Sequence, residues 1–499
     1  MASSQANRST GLLVPWPPDD VADDVGGPAH ARLAALLREQ VVRGVLRPGD
    51  RLPPSRILAE DLGLSRWVVT EAYDQLKAEG YLAARVGAGT VVASGVRVPA
   101  ARPEPAAATA PDVAPGPLLD LSPALPDLSS FPRTAWRAAV ARALAEVPDA
   151  DLARSDPAGA PVLRATVAGY LRRVRGVEAD PARVHVTAGV RNGFWLVCDV
   201  LRRRGARRVA VEDPCWPRLR EAARDSGLQV VPLPVDAEGL QVEGLPAADV
   251  DAVFVTPTHQ FPTGVPLSAA RRRALVDWAA AGDRVLVEDD YDAEFRYDRR
   301  PVGALAALAP EHVVYLGSTS KTLSPGLHLG WLVAPDALAD DLAAARSRLG
   351  ALAPTPDQHA LAHLVESGSY DRHLRRMRRT YQRRRTAMLA ALAASVPGAA
   401  WPSMDAGLHV LWLLPDGTSP DGAPQGDSPQ GDAPQDGTSP VAEDAVLAAA
   451  RRRGLGVLGL AQCRVAPGRG GLVVGYGNVP EHRAADVAAR LGAAVAEAG

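Results

Sequence analysis

The chain has 499 residues, of which 47 % are apolar and 22 % are charged, and its formal net charge is −2. This length predicts two or three domains with sizeable cores, and the balanced charge by itself does not indicate a polyanionic partner. The sequence has three scattered cysteines, no secretory signal and no apolar run of about 18 residues, so we expect a cytoplasmic protein without a disulfide framework or a membrane span.

Regular patterns begin only after residues 1–27, a polar stretch rich in Pro and Gly that we interpret as a flexible leader. Apolar residues at three- and four-residue steps then predict a helix from Pro28 to Gly44. Ser55 is the predicted N-cap of a shorter helix, and Ser65 is the predicted N-cap of a third helix. Residues 81–93, which read YLAARVGAGTVVA, predict a β-hairpin.

This order of elements is typical of a winged helix-turn-helix, which we predict for residues 28–96 and whose third helix enters the major groove of DNA. Arg56, Arg66 and Arg85 are expected at the DNA-facing edge, where arginine binds guanine or phosphate. Residues 28–96 contain nine Lys/Arg and seven Asp/Glu, so their net positive charge is small. We therefore expect DNA binding to depend on a few specific side chains rather than on the overall charge of the module. The alternative is a small helical protein-interaction module.

The module closely resembles the GntR-type winged helix over residues 44–82, which read GVLRPGDRLPPSRILAEDLGLSRWVVTEAYDQLKAEGYL. The resemblance implies DNA contacts at the matching positions, which are Arg56, Ser65, Arg66, Thr70 and, in the wing near the minor groove, Gly87. Trp67 departs from the family pattern, which has a small polar residue there. We expect it either to alter base preference or to cover an apolar spot that faces a phosphate.

A second domain is predicted after a Pro/Ala-rich linker, residues 97–117. From residue 118 to residue 499, short β-rich runs alternate with amphipathic helices such as Val190–Arg203 and Leu267–Ala281. This alternation predicts an α/β domain with a parallel or mixed sheet and helices on both faces. Ligands of such sheets bind beyond the carboxyl ends of the strands.

Lysine is rare here, since Lys77 and Lys321 are the only two in the chain. A lysine, unlike an arginine, can lose its proton near neutral pH and form a Schiff base with a carbonyl group. Other residues at predicted strand ends suit an aromatic aldehyde cofactor. Asp289 can keep a ring nitrogen protonated, Tyr291 can donate to a phenolate oxygen, and Trp216 can stack on the ring.

The phosphate of such a cofactor needs hydroxyl groups and free backbone N–H groups at the start of a helix. Ser318, Ser320, Gly189 and Val190 offer these groups. Each candidate has a purely structural alternative, namely an acidic loop, a core tryptophan or a helix cap. The ordered series of candidates favours the cofactor site.

The same series resembles the fold-type-I aminotransferases, which bind pyridoxal 5′-phosphate (PLP). The matching segments are, in order, TAGVRNGF, EDPCWP, HQFPTGVP, VEDDYDAEFRY, STSKTLSPGLHLGW and AGLHV. With the GntR-like head, the chain resembles the MocR/GabR subfamily of transcription regulators. The resemblance implies an α/β/α domain with a small C-terminal α+β subdomain, a head-to-tail homodimer and Lys321 as the Schiff-base lysine. It places Thr263 in the loop over the cofactor, where Phe261 replaces a common asparagine.

Several positions depart from the aminotransferase pattern. His328 stands where an arginine usually binds the phosphate, and we hypothesise that Arg191, in place of a common glutamine, restores the positive charge. Val473 stands where an arginine usually holds the amino acid carboxylate, whereas Arg220 matches another carboxylate-binding arginine of some relatives. Arg154 replaces a tyrosine that often contacts phosphate from the partner subunit. These departures make ordinary transamination less expected.

Two further segments have unusual composition. Residues 416–440 are rich in Gly, Pro, Asp and Gln, and we predict a disordered acidic insert because they cannot bury enough apolar surface. The basic run at 372–385 resembles a nucleic-acid patch, but its apolar spacing predicts an amphipathic helix with a charged outer face.

The sequence as a whole predicts a homodimeric, PLP-binding regulator that binds double-stranded DNA through residues 28–96. Residues 118–499 would sense PLP or an amino compound, by binding one dimer conformation better than the other. The first alternative is an active aminotransferase with a DNA-binding appendage. The second is a scaffold that has lost its cofactor.

Overall fold

The structure is a computed structural model that describes residues 28–85, 89–94, 118–153, 156–282, 284–297, 302–350, 353–396, 405–414 and 443–498. The predicted leader, linker and acidic insert, together with Gly87 and Arg154, lie outside these residues. The chain divides into two compact units, Met1–Val113 and Ala114–Gly499.

The first unit has the predicted order of three helices and a hairpin. Its elements are α1 (Ala29–Val42), α2 (Ser55–Leu62), α3 (Arg66–Ala78), β1 (Leu82–Arg85) and β2 (Gly89–Val92), and the two strands pair antiparallel. Their apolar faces meet in one small core. The winged helix-turn-helix prediction is therefore confirmed.

The caps of α2 and α3 differ from each other. Ser65 caps α3, because its hydroxyl oxygen accepts the backbone N–H of Val68 at 3.3 Å. Ser55 does not cap α2 but is its first residue, and the N-cap position belongs to Pro54, whose side chain has no acceptor. The prediction for Ser55 was wrong because the extended residue is Pro54, so the helix begins at Ser55, one residue earlier than expected.

The second unit begins with β3 (Leu119–Asp120), α4 (Arg133–Glu146), α5 (Asp149–Ala153), α6 (Pro161–Arg175), β4 (Val184–Thr187), α7 (Val190–Arg203), β5 (Arg208–Asp213), α8 (Pro217–Asp225), β6 (Gln229–Asp236), β7 (Gly239–Leu240), α9 (Leu245–Ala248), β8 (Ala252–Val255), α10 (Ala269–Ala281) and β9 (Val285–Asp289). It continues with β10 (Val313–Ser318), β11 (Gly330–Val333), α11 (Asp336–Leu349), α12 (Thr355–Glu366), α13 (Ser369–Ser395), β12 (His409–Leu413), α14 (Glu443–Arg452), β13 (Leu455–Gly456), β14 (Leu458–Gly459), β15 (Gly471–Gly475) and α15 (Ala484–Ala498).

Eight strands form one mixed sheet in the order β4-β11-β10-β9-β8-β5-β6-β7. β11 runs antiparallel to β4 and β10, and β7 runs antiparallel to β6, whereas the other neighbours are parallel. Alternate residues of a strand enter different cores: Val253 of β8 belongs to one apolar cluster and Phe254 to the other. This alternation buries both faces of the sheet, as predicted for an α/β/α domain.

A smaller C-terminal part contains the antiparallel sheet β12-β15-β14 and the helices α14 and α15. β13 pairs parallel with β3, so the start of the second unit joins its end. The predicted amphipathic helix is α13, which buries Leu374, Met377 and Tyr381. Within the described residues, no helix is both long and apolar enough to cross a membrane.

Candidate cofactor site

One cavity of about 810 Å³ lies at the carboxyl ends of the central strands. Asp289 is the last residue of β9, and Ser318 is the last residue of β10. The cavity is lined by all the predicted cofactor residues except Thr263, namely Gly189, Val190, Arg191, Trp216, Asp289, Tyr291, Ser318, Ser320, Lys321 and His328. Residues that are widely separated in the sequence thus line one cavity, as strand ends of a parallel sheet allow.

The reactive wall of the cavity holds Lys321 and Asp289. Burial lowers the pKa of Lys321 below its ordinary value, although the carboxylates of Asp289 and Asp292 oppose this shift. Burial, with the nearby Asp290, raises the pKa of Asp289 to about 8, and Lys321 opposes that shift. Asp289 Oδ1 is buried and has no hydrogen-bond partner among the described residues. The wall therefore offers an amine that loses its proton easily and an unsatisfied acceptor.

Another part of the cavity lining is suited to an anion. Gly189 is the N-cap of α7 with a φ of 80°, and the first N–H groups of a helix favour negative charge. Ser318 adds a hydroxyl group that accepts the backbone N–H of Ser320 at 3.3 Å. A Cβ atom on Gly330 would stand 3.0 Å from the carbonyl carbon of Gly189, so β11 can approach this turn only with glycine.

Two basic residues also line the cavity. Arg191 belongs to the first turn of α7, and it forms no ion pair within the part of the chain that the structure describes. His328 lines the same cavity with a φ of 49°, an uncommon left-handed backbone for a residue with a side chain. Arg191 and His328 therefore line the same cavity, and the role of Arg191 in binding the phosphate stays a prediction.

A buried hydrogen-bonded cluster that was not predicted stands behind Tyr291. His259 Nδ1 lies 2.8 Å from Asp292 Oδ2, and Tyr291 Oη lies 3.0 Å from the same nitrogen. Since a carboxylate only accepts, His259 donates its Nδ1–H to Asp292, and the Tyr291 hydroxyl does not donate to that nitrogen. Burial and the nearby carboxylates raise the pKa of Tyr291 well above its usual value, so it remains a donor.

His409 completes this cluster, with its ring centroid 5.3 Å from that of His259. Burial, with the neighbouring His259 and Lys321, lowers the pKa of His409 well below its ordinary value. His409 is therefore a neutral ring. Both histidines belong to motifs of the sequence, HQFPTGVP and AGLHV, and these motifs were the only signal that could have singled them out.

Two predicted residues are not at the cavity. The Thr263 hydroxyl donates to Gln260 Oε1 at 2.7 Å and thus braces its own loop. The guanidinium of the buried Arg220 donates to the carbonyl oxygens of Cys463 and Gln462, the latter at 2.6 Å. This placement argues against the predicted contact of Arg220 with an effector carboxylate. Arg218 lines the cavity instead, and its Nη1 lies 2.7 Å from Glu221 Oε2.

The predicted DNA-contacting residues lie on the surface of the first unit. Arg56 pairs with Glu60 at 3.3 Å across exposed side chains, and Arg85 is exposed at the end of β1. Arg66 and Thr70 are exposed on α3, and the Thr70 hydroxyl donates to the carbonyl oxygen of Arg66 at 2.9 Å. The Ser65 hydroxyl already serves as the cap of α3.

Comparison with known proteins gives the same two-part organisation. Residues 29–92 match the family described as bacterial regulatory proteins, gntR family, and residues 124–421 match aminotransferase class I and II. The HTH-type pyridoxine biosynthesis transcriptional regulator PdxR of Corynebacterium glutamicum is 39 % identical over 382 residues, which are 77 % of this chain and 82 % of that protein. The probable rhizopine catabolism regulatory protein MocR of Rhizobium meliloti is 35 % identical over 399 residues, which are 74 % of this chain and 78 % of that protein.

Solved aminotransferase structures share the fold of the second unit. The kynurenine aminotransferase of Pyrococcus horikoshii superimposes with a TM-score of 0.65 at 24 % identity, covering 76 % of this chain and 91 % of that one. LysN, the α-aminoadipate aminotransferase of Thermus thermophilus, gives a TM-score of 0.65 at 25 % identity over 76 % of this chain and 92 % of that one.

Fold and site together define a DNA-binding head joined to a domain of the aminotransferase fold, which has a lysine at its cavity. The chain belongs to the MocR-type transcription regulators, in which a GntR-family helix-turn-helix is joined to an aminotransferase class I and II domain.

The cofactor of this class of domain is PLP, and the cavity residues fit it. The unsatisfied Asp289 Oδ1 suits a protonated ring nitrogen, and the start of α7 with the Ser318 hydroxyl suits a phosphate. The indole of Trp216 lines the cavity and offers a flat apolar surface to a ring.

Proposed function

We propose that the second unit holds PLP on Lys321 and that its occupancy, by PLP alone or by PLP with an effector amine, sets the affinity of the regulator for DNA. The observation that carries this proposal is the cavity itself. Lysine, carboxylate, hydroxyl groups and a helix N-terminus converge there in the arrangement that an aromatic aldehyde phosphate needs.

Each residue has a proposed task in binding. The Asp289 carboxylate accepts a hydrogen bond from the protonated ring nitrogen, and Tyr291, which lies beside the His259–Asp292 pair, donates a hydrogen bond to the ring oxygen. Arg191 supplies a permanent positive charge near the phosphate, in a cavity where position 328 holds a histidine instead of an arginine. PLP, when bound, supplies an aldehyde that condenses with primary amines and a visible chromophore.

The proposed effector is PLP itself or a small amino compound. Arg218 is a guanidinium of the cavity lining, but it already has the carboxylate of Glu221 at 2.7 Å. Val473 is completely buried in β15, and Arg220 is bound to backbone carbonyl oxygens. An amino acid carboxylate would therefore have to compete with Glu221, which disfavours tight binding of ordinary amino acid substrates.

We further propose a cytoplasmic homodimer in which effector binding favours one arrangement of the two heads. Symmetric DNA half-sites are matched by a protein with a two-fold axis. An effector shifts DNA affinity only by as much as it prefers one dimer conformation, which is typically about 5- to 150-fold.

Two experiments test the cofactor and its use. Added PLP should give a visible absorption band that is retained in Lys77→Ala and lost in Lys321→Ala, and borohydride reduction should fix PLP to the peptide that contains Lys321. Absence of the band from the wild-type protein would overturn the cofactor proposal. A duplex selected from a random-sequence pool should then bind with an affinity that changes with PLP for the wild type but not for Lys321→Ala. An unchanged affinity in the PLP-loaded wild type would overturn the sensing proposal.

An active aminotransferase is the second candidate, and the presence of Lys321 in a cavity of about 810 Å³ favours it. Steady turnover of an amino acid and a keto acid by the purified protein, lost in Lys321→Ala, would establish that activity. We expect turnover far below that of dedicated enzymes, because Val473 and Arg220 are not available to hold a carboxylate.

A further inference from the structure

A large aromatic side chain is exposed on α3, the predicted recognition helix. Trp67 is the second residue of α3, and 63 % of its surface is exposed. Its ring meets the ring of His30 edge to face, with centroids 5.5 Å apart and planes at 77°. The indole is thus supported on one side while most of its surface remains open to solvent.

The fold of the first unit does not need this tryptophan. The buried face of α3 is formed by Val69, Ala72, Tyr73 and Leu76. Trp67 lies outside that set, in the exposed first turn next to Arg66, and Thr70 follows one turn later. Along an α-helix, residue 67 is rotated by about 100° from residue 66, and residue 70 by about 40° in the same direction. Residues 66, 67 and 70 therefore share one sector of the helix surface.

That sector is the part of a recognition helix that reaches the bases, since its N-terminal residues contact base edges in the major groove. A tryptophan offers one N–H donor and a broad apolar ring. The apolar group that a base pair displays in the major groove is the C5-methyl of thymine. Arg66 beside it forms no ion pair among the described residues and remains available to a guanine or a phosphate.

We propose that Trp67 is a specificity-determining residue of the DNA interface, which packs its indole against a thymine C5-methyl group and so selects thymine at one position of each half-site. The ring of His30 fixes the orientation of the indole. This inference rests on DNA binding by the helix-turn-helix unit and is independent of the cofactor proposal.

The first test compares sequence preference. The full-length wild type, Trp67→Ser and Val45→Ser are each used to select duplexes from a random-sequence pool. Val45 is the matched control because it is 65 % exposed in the same unit but lies outside α1, α2 and α3. We expect Trp67→Ser to lose one thymine preference per half-site and Val45→Ser to keep it. Selection of the same thymine by Trp67→Ser would overturn the proposal.

The second test removes the methyl group alone. Deoxyuridine replaces that thymine in the selected duplex, and affinity is measured by fluorescence anisotropy. The wild type should lose about fivefold to tenfold in affinity, whereas Trp67→Ser should bind both duplexes equally. An unchanged wild-type affinity would contradict the methyl contact.

Affinity for unselected duplex DNA separates specificity from general DNA binding. It should be the same for the wild type and Trp67→Ser, because phosphate contacts supply nonspecific binding. Parallel losses of specific and nonspecific affinity in Trp67→Ser would show a backbone contact instead and overturn the proposal. Failure of the wild type to bind any duplex would contradict DNA binding itself.

Discussion

The carboxylate of Asp292 accepts the Nδ1–H of His259 at 2.8 Å, and both side chains are almost completely buried. The same nitrogen lies 3.0 Å from the hydroxyl of Tyr291, a residue of the cavity wall. Gly407, two residues before β12, closes over the pair. A Cβ atom on Gly407 would stand 2.2 Å from His259 Cε1 and 2.9 Å from Asp292 Oδ2. The smaller C-terminal part of the fold therefore holds the pair in place.

Gly407→Ala should disturb this contact and weaken PLP binding. The new Cβ clashes with His259, and the φ of 76° is strained for alanine, so we expect a loss of about 1–3 kcal/mol in the free energy of unfolding and a higher Kd for PLP. Denaturant unfolding and an absorption titration measure the two effects. Gly169→Ala is the control, because Gly169 is helical with open space around it and alanine should leave both quantities unchanged or raise stability slightly. Equal behaviour of the two variants would contradict the role of the contact.

Asp289→Asn should stabilise the protein without cofactor at high pH and weaken PLP binding. The pKa of Asp289 is about 8 in the folded protein against an ordinary value of 3.8, so the folded state holds this proton more tightly than the unfolded state. Protonated Asp289 therefore contributes to the free energy of unfolding in full below about pH 4, and this contribution is lost as the pH rises towards about 8. Asparagine carries no proton to lose.

The melting temperature measures this difference across pH. Asp289→Asn should match the wild type near pH 4 and exceed it above pH 8. With PLP the order should reverse, because asparagine has no negative charge to hold the protonated ring nitrogen. A difference in melting temperature that is independent of pH would contradict the raised pKa.

Arg191→Ala should weaken PLP binding by about tenfold, as expected for the loss of one charged contact to the phosphate. The double variant Arg191→Ala/His328→Arg should recover much of this affinity, because an arginine at position 328 restores the charge within the same cavity. Arg202→Ala, in the last turn of the same helix, is the control. An absorption titration that gives Arg191→Ala the wild-type Kd would refute the role of Arg191.

Strong patterns in the sequence predicted most of the fold. Helix α7 spans Val190–Arg203 as predicted, since its apolar spacing and the preceding glycine fix both its face and its start. The order of strand-end motifs also predicted which residues would share the cavity. The cavity depends on strand ends, and these are set by the parallel topology rather than by details of side-chain packing.

Contacts between distant segments were not predictable in this way. His259 and Asp292 are 33 positions apart, and only the packing of their two loops brings them together. The different positions of Arg218 and Arg220 have a related cause. Residues that are two positions apart on a helix point in directions that differ by about 200°. One arginine therefore faces the cavity and the other faces the protein interior. The sequence motif alone did not indicate which arginine would face the cavity.

Replacing these two arginines should separate a structural role from a ligand role. Arg220→Ala removes the side-chain donor of the Cys463 and Gln462 carbonyl oxygens, of which that of Cys463 keeps the backbone N–H of Cys215, and we expect a loss of about 1–3 kcal/mol in the free energy of unfolding. Arg218→Ala removes only an exposed ion pair and should change stability by less than about 1 kcal/mol.

Effector binding should respond in the opposite way, because Arg218 lines the cavity and Arg220 does not. The affinity of the PLP-loaded protein for carboxylate-containing amines, measured through the visible absorption band, should fall in Arg218→Ala. In Arg220→Lys, which keeps one donor for the carbonyl oxygens, it should stay close to that of the wild type once folding is verified by circular dichroism. Selective loss of carboxylate binding in a well-folded Arg220→Lys would identify Arg220 as the effector-binding residue. Loss of a purely structural contact would instead weaken the binding of all ligands alike.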